Sequence, residues 1–304
     1  MIVTLTPNPS IDRAVFIDAL RHGEVHRATG SQLDPGGKGV NVSRALAAQG
    51  AATTAVLPIG GPEGHLLEDL LDTAGVAHAS VPVRGTVRMN ISVLEPDGTT
   101  TKLNEPGPDL ATAEVEALLE TTLERSVGAD WVVGCGSLPP GAPTDLYAVL
   151  VARVRGRGGR GAIDSSGAPF AAAVAAKPHL IVDHDLPTLG HVRDAARELV
   201  AGGIEVVAVS LGGDGALLVT DGASAHARAT ITAPLSTVGA GDCMLAGLLH
   251  GLSAGLDPAD ALMTGVRWGA AAVTLPGSRV PTPDDLDGIR AELTHEPDLA
   301  RALT

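Results

Sequence analysis

Short apolar runs alternate with Ala- and Leu-rich amphipathic stretches along nearly the whole chain. This alternation is typical of α/β proteins, in which helices cover both faces of a mostly parallel sheet. It predicts strands at residues 2–6, 53–59, 130–133, 161–164, 180–182, 206–210 and 216–219. It predicts helices at residues 40–49, 64–74, 112–125, 144–155, 192–201, 240–254 and 258–274, and the Ala-rich stretch 168–177 reads as another.

Two segments, at about 12–34 and 86–104, interrupt the alternation. The first contains short β-like runs at 14–17 and 25–28. The second contains runs at 87–94 and 99–103 joined by a Pro-Asp-Gly turn, which is a hairpin signal. Both segments are expected to leave the main sheet as antiparallel strands and to form a small β lid over a cleft. Since no Pro- and Ser-rich linker divides the chain, we expect residues 1–304 to form a single domain.

Composition excludes several classes of protein. The 304 residues include 44% hydrophobic ones, enough for a sizeable core, and a net charge of −14 with 2% aromatic residues argues against nucleic-acid binding. No apolar run approaches the ~18 residues of a membrane span, and the first residues lack the basic start of a signal peptide. We therefore expect a cytoplasmic protein that binds neither nucleic acid nor membranes.

Cys135 and Cys243 are too few for a disulfide framework or a zinc site, and are expected in the core.

The strongest local signal is the run Ser-Thr-Val-Gly-Ala-Gly-Asp at residues 236–242, which leads directly into a predicted helix. Its small residues Gly239, Ala240 and Gly241 leave backbone N–H groups bare at a helix N-terminus, where they can hold the charge of a phosphoryl group. Asp242 could accept a hydroxyl proton there. The same run could also be an ordinary turn with the aspartate as a helix cap. No G-x-x-x-x-G-K-[ST] phosphate loop is present.

A second glycine cluster, Asp-Pro-Gly-Gly-Lys-Gly-Val-Asn at residues 34–41, also precedes a helix. Paired glycines let a ligand approach the main chain closely, and Lys38 adds a cation. Arg88 and Lys102 lie on the two strands of the second interrupting segment. Three cations near one cleft of an acidic protein indicate an anionic ligand, although each alone could be a solvated surface charge.

These motifs, in this order and over almost the entire chain, resemble the ribokinase/PfkB family of sugar kinases. The resemblance is carried by Asp12 after Thr-Pro-Asn-Pro-Ser, the Gly-Gly-Lys-Gly-Val-Asn run, and the runs at 136–141, 164–167, 210–215 and 236–242. Within the family the chain most resembles the 1-phosphofructokinases, a choice favoured by Thr-Lys-Leu-Asn-Glu-Pro-Gly at 101–107. Tagatose-6-phosphate kinases and minor-type 6-phosphofructokinases are close relatives.

The resemblance implies a three-layer α/β/α ribokinase-like fold whose β lid pairs with that of a second subunit in a homodimer. It implies ATP as phosphoryl donor, Mg²⁺, and a phosphorylated ketohexose as acceptor. The expected reaction converts fructose 1-phosphate to fructose 1,6-bisphosphate, with tagatose 6-phosphate or fructose 6-phosphate as alternative acceptors. A different class of hypothesis is a sugar-phosphate-binding protein that has lost its kinase activity.

The resemblance also implies roles for individual residues. Asp242 would be the catalytic base, and Gly239, Ala240 and Gly241 would form the anion hole. The acceptor's hydroxyl groups would be held by Asp12, Gly36, Gly37 and Asn41, and its phosphate by Lys38, Arg88 and Lys102, with Asn90 and Ser137 nearby. The nucleotide would lie against Ser210, Gly212 and Gly215, with Gly277 near the adenine.

One segment departs from the family pattern. The family usually carries Lys-Pro-Asn-x-x-Glu after the strand that here ends near residue 181, and that Asn and Glu organise the water shell of Mg²⁺. This chain has Val-Asp-His-Asp-Leu-Pro at 182–187. Asp183 or Asp185 could supply the missing carboxylate, because Mg²⁺ keeps most of its waters and needs few protein oxygens. A polar loop without a metal is the alternative.

Overall fold

A computed structural model describes residues 1–183, 188–295, 298–300 and 303, with the backbone alone for Asp183. Numbered along the chain, the strands are β1 (Ile2–Leu5), β2 (Ser10–Phe16), β3 (Gly30–Gly36), β4 (Thr53–Ile59), β5 (His78–Pro82), β6 (Arg88–Leu94), β7 (Thr100–Asn104), β8 (Trp131–Cys135), β9 (Gly161–Asp164), β10 (Leu180–Asp183), β11 (Val206–Ser210), β12 (Ala216–Thr220), β13 (Ala223–Ala229) and β14 (Ala291–Thr294). The helices are α1 (Lys38–Ala48), α2 (Gly61–Thr73), α3 (Thr112–Arg125), α4 (Leu146–Gly156), α5 (Gly167–Ala175), α6 (Leu189–Ala201), α7 (Ala240–Ser253) and α8 (Pro258–Val273).

Within the described residues, ten strands form a main sheet in the order β14-β13-β12-β11-β10-β9-β8-β1-β4-β5. The strands from β11 to β5 in that order run parallel, and β12, β13 and β14 add an antiparallel edge. Every residue of β1, β8 and β9 is buried. Strands covered on both faces need continuous apolar runs, which explains why these were recognisable in the sequence.

Helices cover the main sheet on both faces. Helices α3, α4, α5 and α6 contribute their apolar side chains to one core, and α1, α7 and α8 contribute theirs to another. Helices α7 and α8 pack closely because glycines face each other: an added Cβ at Gly247 would lie 2.8 Å from Gly265 Cα. These layers confirm the predicted α/β/α architecture. No helix of the described residues has the length and apolarity to cross a membrane.

A second, small sheet has the order β3-β2-β6-β7. Strand β2 pairs antiparallel with β3 and parallel with β6, and β6 pairs antiparallel with β7. The expected strand at 25–28 is wrong, since the partner of β2 is Gly30–Gly36. Val25 is 86% exposed, so it does not pack against a neighbouring strand of the described residues, and its β propensity alone does not produce a strand.

The sequence pattern did not predict strands β5, β13 and β14. Strand β13 reads Ala-Ser-Ala-His-Ala-Arg-Ala, a composition of low β propensity, and it forms through its pairing with β12 and β14. Predicted helices differ from the observed ones mainly at their starts. Helix α2 begins at Gly61 and α6 at Leu189, each three residues before the predicted start.

Candidate active site

Two of the predicted site residues, Lys38 and Asp242, lie near Asp164 at the carboxyl end of the main sheet. Asp164 is the last residue of β9, Lys38 begins α1, and Asp242 lies in the first turn of α7. Open α/β sheets bind ligands at this end of their parallel strands, because the loops there diverge and helix N-termini point toward the cleft.

Asp242 is almost fully buried, and its Oδ2 accepts a hydrogen bond of 2.8 Å from Asn41 Nδ2. Gly239, which precedes the helix, has φ 78°, a left-handed conformation that a glycine adopts without strain. An added Cβ at Gly241 would meet no atom within 4 Å, so the main chain is open there. The first N–H groups of a helix lack partners within it, and small residues leave them accessible to an anion. The N–H of Ala240 makes a long bond of 3.4 Å to Thr237 O, which an anion would have to displace.

The environment of Asp242 raises its pKa to about 7. Burial is the largest cause and the nearby Asp164 carboxylate adds to it, whereas the bond from Asn41 and the charge of Lys38 act in the opposite direction. A base is most effective when its pKa lies near the working pH. Asp242 therefore has the protonation behaviour expected of a general base at neutral pH.

Lys38 forms an ion pair with the buried Asp164, with 2.7 Å between Nζ and Oδ1. Burial by itself would lower the pKa of Lys38, but Asp164, and more weakly Asp242, raise it above its usual value. The ammonium group is therefore charged, is paired with Asp164 and lies close enough to Asp242 for their charges to interact.

Arg88 is held at the base of the small sheet by two carbonyl groups. Its Nη1 donates to Glu105 O and its Nη2 to Asn8 O, both at 3.1 Å. Nε of Arg88 is buried and has no hydrogen-bond partner in the described part of the chain. Burial lowers the pKa of Arg88, opposed by Asp12 and Glu105. The guanidinium is thus fixed in place with a donor still available.

Asp12 and Asn90 lie on adjacent strands of the small sheet and contact each other. Asn90 Nδ2 donates to Asp12 Oδ1 at 3.0 Å, and the same oxygen accepts from Ser10 Oγ at 2.8 Å. Asn90 Oδ1 is buried without a partner. An added Cβ at Gly36 would lie 2.4 Å from Asp12 Cγ, so this glycine is needed for the close packing of Asp12. Gly37 has φ 105° and allows the sharp turn into α1.

Asn8 was not singled out by sequence reasoning. Its Nδ2 donates to Pro106 O at 3.1 Å and to Ser137 Oγ at 3.4 Å, while its main-chain oxygen accepts from Arg88. Asn8 Oδ1 is a further buried atom without a partner. Buried polar atoms are costly unless satisfied, so Asn8, Arg88 and Asn90 together have the character of a site for a polar ligand.

Lys102 lies on β7, at the edge of the small sheet, and its side chain is exposed. Its strand register places it opposite Ser92, two residues from the pair Asn90 and Asn104. Among the described residues, the structure joins Arg88 to Ser137 through Asn8 and Asn90 directly to Asp12. It joins Lys38 to Asp164 instead.

The residues predicted for the nucleotide follow β11 and α8. Ser210 ends β11, and Gly212 begins a short 3₁₀ turn. Gly215 has φ 89°, and an added Cβ would lie 2.0 Å from Ala227 O, so a glycine is required there for the strands to approach. Gly277, in the loop after α8, has φ 66°.

The predicted metal residues fall at the end of β10. The backbone of Asp183 ends that strand, and the preceding residue pairs with Asp164. The Asp183 side chain and the whole of Asp185 lie outside the described residues. Among the side chains that are described, no group of three or more His, Cys, Asp or Glu could hold a metal ion.

Comparison with known proteins identifies the family. The sequence profile of the pfkB family carbohydrate kinases matches residues 6–285. The chain is 34% identical to a 1-phosphofructokinase of Rhodobacter capsulatus, with 96% of each chain covered, and 37% identical to one of Haloferax volcanii, with 97% of each covered. It is 36% identical to an ATP-dependent 6-phosphofructokinase isozyme 2 of Mycobacterium tuberculosis, covering 97% of this chain and 90% of that protein.

A solved structure gives the same result. The crystal structure of phosphofructokinase-2 from Escherichia coli in complex with substrates and products superimposes with a TM-score of 0.89 and 34% identity. The match covers 95% of this chain and 97% of that one. The family profile, the identities over nearly the full length and the shared fold agree with one another. The chain therefore belongs to the pfkB family of carbohydrate kinases.

Proposed function

We propose that this kinase transfers the γ-phosphoryl group of ATP to fructose 1-phosphate, giving fructose 1,6-bisphosphate and ADP. The observation that carries the proposal is the buried Asp242 carboxylate, held by Asn41 at the N-terminus of α7 with a pKa of about 7. The acceptor is inferred from the two 1-phosphofructokinases to which the chain is similar.

In the proposed reaction Asp242 accepts the proton of the acceptor hydroxyl as that oxygen attacks the γ-phosphorus. The new P–O bond forms in line with the bond to the β-phosphate oxygen, which breaks, and ADP leaves. Backbone N–H groups of Gly239, Ala240 and Gly241 would bind the transferring oxygens at the positive end of α7. Such preorganised donors are often the largest contribution to phosphoryl transfer.

Two groups of side chains would position the acceptor. Arg88, with Asn90, Ser137 and Lys102, would bind its phosphate, supported by the unpaired buried atoms of Arg88 and Asn90. The sugar hydroxyl groups would be held by Asp12, Gly36, Gly37 and Asn41. Lys38 would contact phosphate oxygens beside Asp242, since its pairing with Asp164 places the ammonium at that end of the cleft.

ATP would lie against Ser210, Gly212, Gly215 and Gly277, at the ends of β11 and α8. We propose that Mg²⁺ accompanies ATP, where it would neutralise phosphate charge. Because Mg²⁺ needs only one or two protein oxygens, holding it mainly through the ATP phosphates is compatible with the described side chains. Asp183 or Asp185 would add a carboxylate.

We further propose that residues 1–304 act as one cytoplasmic kinase domain in which the small sheet, at about 12–34 and 86–104, is the lid. Pairing of two lids would produce a homodimer. Exposed apolar side chains on the lid, Phe16 at 36% and Leu103 at 58% exposure, support an interface there.

Two alternatives remain distinct from this proposal. Fructose 6-phosphate is the first, favoured by the similarity to the 6-phosphofructokinase isozyme, with tagatose 6-phosphate as a related acceptor. The second is a sugar-phosphate-binding protein without kinase activity. The intact contact between Asn41 and Asp242 argues against it, because a binding role has no need of a buried carboxylate with a raised pKa.

The test is ADP release with Mg²⁺-ATP and a panel of fructose 1-phosphate, fructose 6-phosphate, tagatose 6-phosphate and unphosphorylated fructose. The proposal expects the highest kcat/KM for fructose 1-phosphate and poor turnover of fructose. A preference for fructose 6-phosphate or tagatose 6-phosphate would identify a different acceptor but would still support phosphoryl transfer from ATP. Binding of the sugar phosphates without ADP release would support the non-enzymatic alternative.

A further inference from the structure

Arg44 lies in α1, one turn after Asn41, and its side chain is buried. Three oxygen atoms share the two N–H groups of Nη1 as acceptors: Pro35 O at 3.0 Å, Asn41 Oδ1 at 3.1 Å and Ser278 O at 3.1 Å. Its Nη2 is 3.6 Å from the Asp34 carboxylate. A buried arginine that contacts a site residue is unusual in a helix, because burial of the charge is expensive without several partners.

These partners come from three separate parts of the molecule. Pro35 belongs to β3 of the small sheet, Asn41 to α1, and Ser278 to the loop after α8 that also carries Gly277. Arg44 therefore joins the strand on the acceptor side of the cleft to the loop on the nucleotide side. The bond to Asn41 is the one that connects Arg44 to the proposed base, Asp242.

The bond from Arg44 determines which way the Asn41 amide points. Asn41 Oδ1 accepts from the guanidinium, so Nδ2 is directed at Asp242 Oδ2, 2.8 Å away. A reversed amide would place its NH₂ group against the guanidinium and its oxygen against the carboxylate, so that neither contact would have a donor matched to an acceptor. The guanidinium, which has donors only, thus selects one of the two amide orientations.

We propose that Arg44 is a positioning residue for phosphoryl transfer: by orienting the Asn41 amide it holds the Asp242 carboxylate in place for proton abstraction. This inference rests on the proposed role of Asp242 as the base. The hydrogen bonds of Arg44 go to Pro35, Asn41 and Ser278, so its contact with Asp242 is made through Asn41. For a purely structural role, the bonds from Arg44 to Pro35 and Ser278 would be sufficient. The additional bond to Asn41 connects Arg44 to the Asp242 carboxylate.

Loss of the hydrogen bond from Asn41 should change the pKa of Asp242 in a defined direction. The bond from Asn41 lowers the pKa of Asp242, so removing it should raise that pKa and move the acidic limb of the pH–rate profile to higher pH. Other charged or titratable groups also act on this carboxylate and remain in the variants below. They are Asp12, Lys38, Cys135, Asp164 and Cys243, together with the positive charge of residue 44, which Arg44→Lys retains.

The experiment is a double-mutant cycle with Arg44→Lys, Asn41→Ala and the double variant, measuring kcat, both KM values and the pH dependence of kcat/KM. Misplacement of a reacting group costs up to about 100-fold, so we expect each single variant to lose roughly 10- to 100-fold in kcat. We expect the ATP KM to change little, and the acidic limb to move to higher pH. The double variant should be no slower than the slower single variant, because Arg44 acts through Asn41.

Arg267→Lys is the matched control. Arg267 also donates to main-chain carbonyls, of Ile289 and Leu286, but it lies on α8 away from Asp242. Its variant should lose thermal stability at most and keep the wild-type pH profile. All rates are measured below the thermal transition of each variant. The phosphate of the acceptor titrates near pH 6 in every variant, so only differences between variants are used.

Losses that multiply in the double variant, or an Arg44→Lys enzyme with an unshifted acidic limb, would overturn the proposal. If Arg44→Lys does not fold, Arg44→Met replaces it, because it removes the donor to Asn41 Oδ1 and introduces no unpaired charge; a limb shift larger than that of Asn41→Ala would then report the lost positive charge. If neither folds, Asn41→Ala decides alone: an unshifted limb there would overturn the inference. Full activity of Asp242→Asn would instead refute the proposed function on which the inference rests.

Discussion

The two ends of the cleft satisfy their polar groups differently. At the proposed catalytic end, Asn41 donates to Asp242 and Lys38 pairs with Asp164, so these groups have protein partners. At the proposed phosphate end, Arg88 Nε and Asn90 Oδ1 are buried and have no partners among the described residues. The first arrangement keeps reacting groups in place before any ligand arrives. The second provides donors and acceptors that gain partners when a polar ligand binds.

This difference separates two kinds of kinetic effect. Changes at the catalytic end should act mainly on kcat, since the groups there are proposed to stabilise the transition state. Changes at the phosphate end should act mainly on the KM for the acceptor, since its phosphate is bound before and during transfer. The Asp242 and Arg88 substitutions below test this division through their kinetics, and the other predictions test the groups on which it rests.

Asp242→Asn should have the largest effect. It preserves size and the helix N-terminus but removes the proton acceptor, so kcat should fall roughly 10²- to 10⁴-fold. Binding of the acceptor, measured by calorimetry, should largely persist. Asp257→Asn, at the N-cap of α8, is a control that changes a helix-capping carboxylate elsewhere. An Asp242→Asn enzyme within a few-fold of wild type would remove Asp242 from the mechanism.

The same substitution should stabilise the fold at alkaline pH. Burial raises the pKa of Asp242 from its usual 3.8 to about 7, so the folded protein binds a proton more tightly than the unfolded chain does. Wild-type stability should therefore fall as pH rises from about 4 to about 7, by at most about 4 kcal/mol at 1.36 kcal/mol per unit. Thermal unfolding at pH 8 should show a higher Tm for Asp242→Asn, with the difference shrinking toward pH 4. Equal stability at both pH values would contradict this.

Arg88→Met should raise the acceptor KM. A charge-assisted hydrogen bond contributes about 1.5–3 kcal/mol, so the increase should be roughly 10- to 100-fold, with the ATP KM unchanged. Arg84→Met is the matched control, because Arg84 lies four residues earlier and is exposed. Steady-state kinetics with each substrate varied in turn would measure both values. A drop in kcat alone would place Arg88 with the catalytic end instead.

The segment at 182–187 should have the smallest effect. If Asp183 or Asp185 supplies a carboxylate for Mg²⁺, its Ala variant should need a few-fold more Mg²⁺ for half-maximal rate while the acceptor KM stays constant. A His184→Asn/Pro187→Glu variant, which restores the usual family residues, should need less. Mg²⁺ titrations at fixed ATP compare the four proteins. Identical titrations would support a polar loop.

Buried apolar strands and helix-leading motifs were predictable from sequence because their signals are local. Strands β1, β8 and β9 are short, mainly apolar runs, and Asp242 follows a recognisable Gly-Ala-Gly. Strand β13 was not predictable, since its alanine-rich sequence becomes a strand only through its neighbours.

The supporting residues of the site were also missed, for a related reason. Asn8 contacts Ser137 and Arg88 across long stretches of sequence, and Arg44 reads in isolation as a solvent-facing helical cation. Lys38 was grouped with the other cations by charge alone, whereas its partner Asp164 lies 126 residues away. Contacts between distant segments leave no periodic or compositional signal, so only the folded structure reveals them.

The most direct test of the account is the pH dependence of kcat/KM for the acceptor, because it reports the ionisation of the free enzyme. A base that must be deprotonated and whose pKa is about 7 predicts a rate that rises with pH through neutrality. The pH–rate profile is measured with the acceptor and with a phosphate-free analogue, which separates ionisation of the enzyme from ionisation of the acceptor phosphate. The predicted result is an acidic limb near pH 7 with both substrates. An activity already constant from pH 5 upward would contradict the assignment of the buried Asp242 as the base.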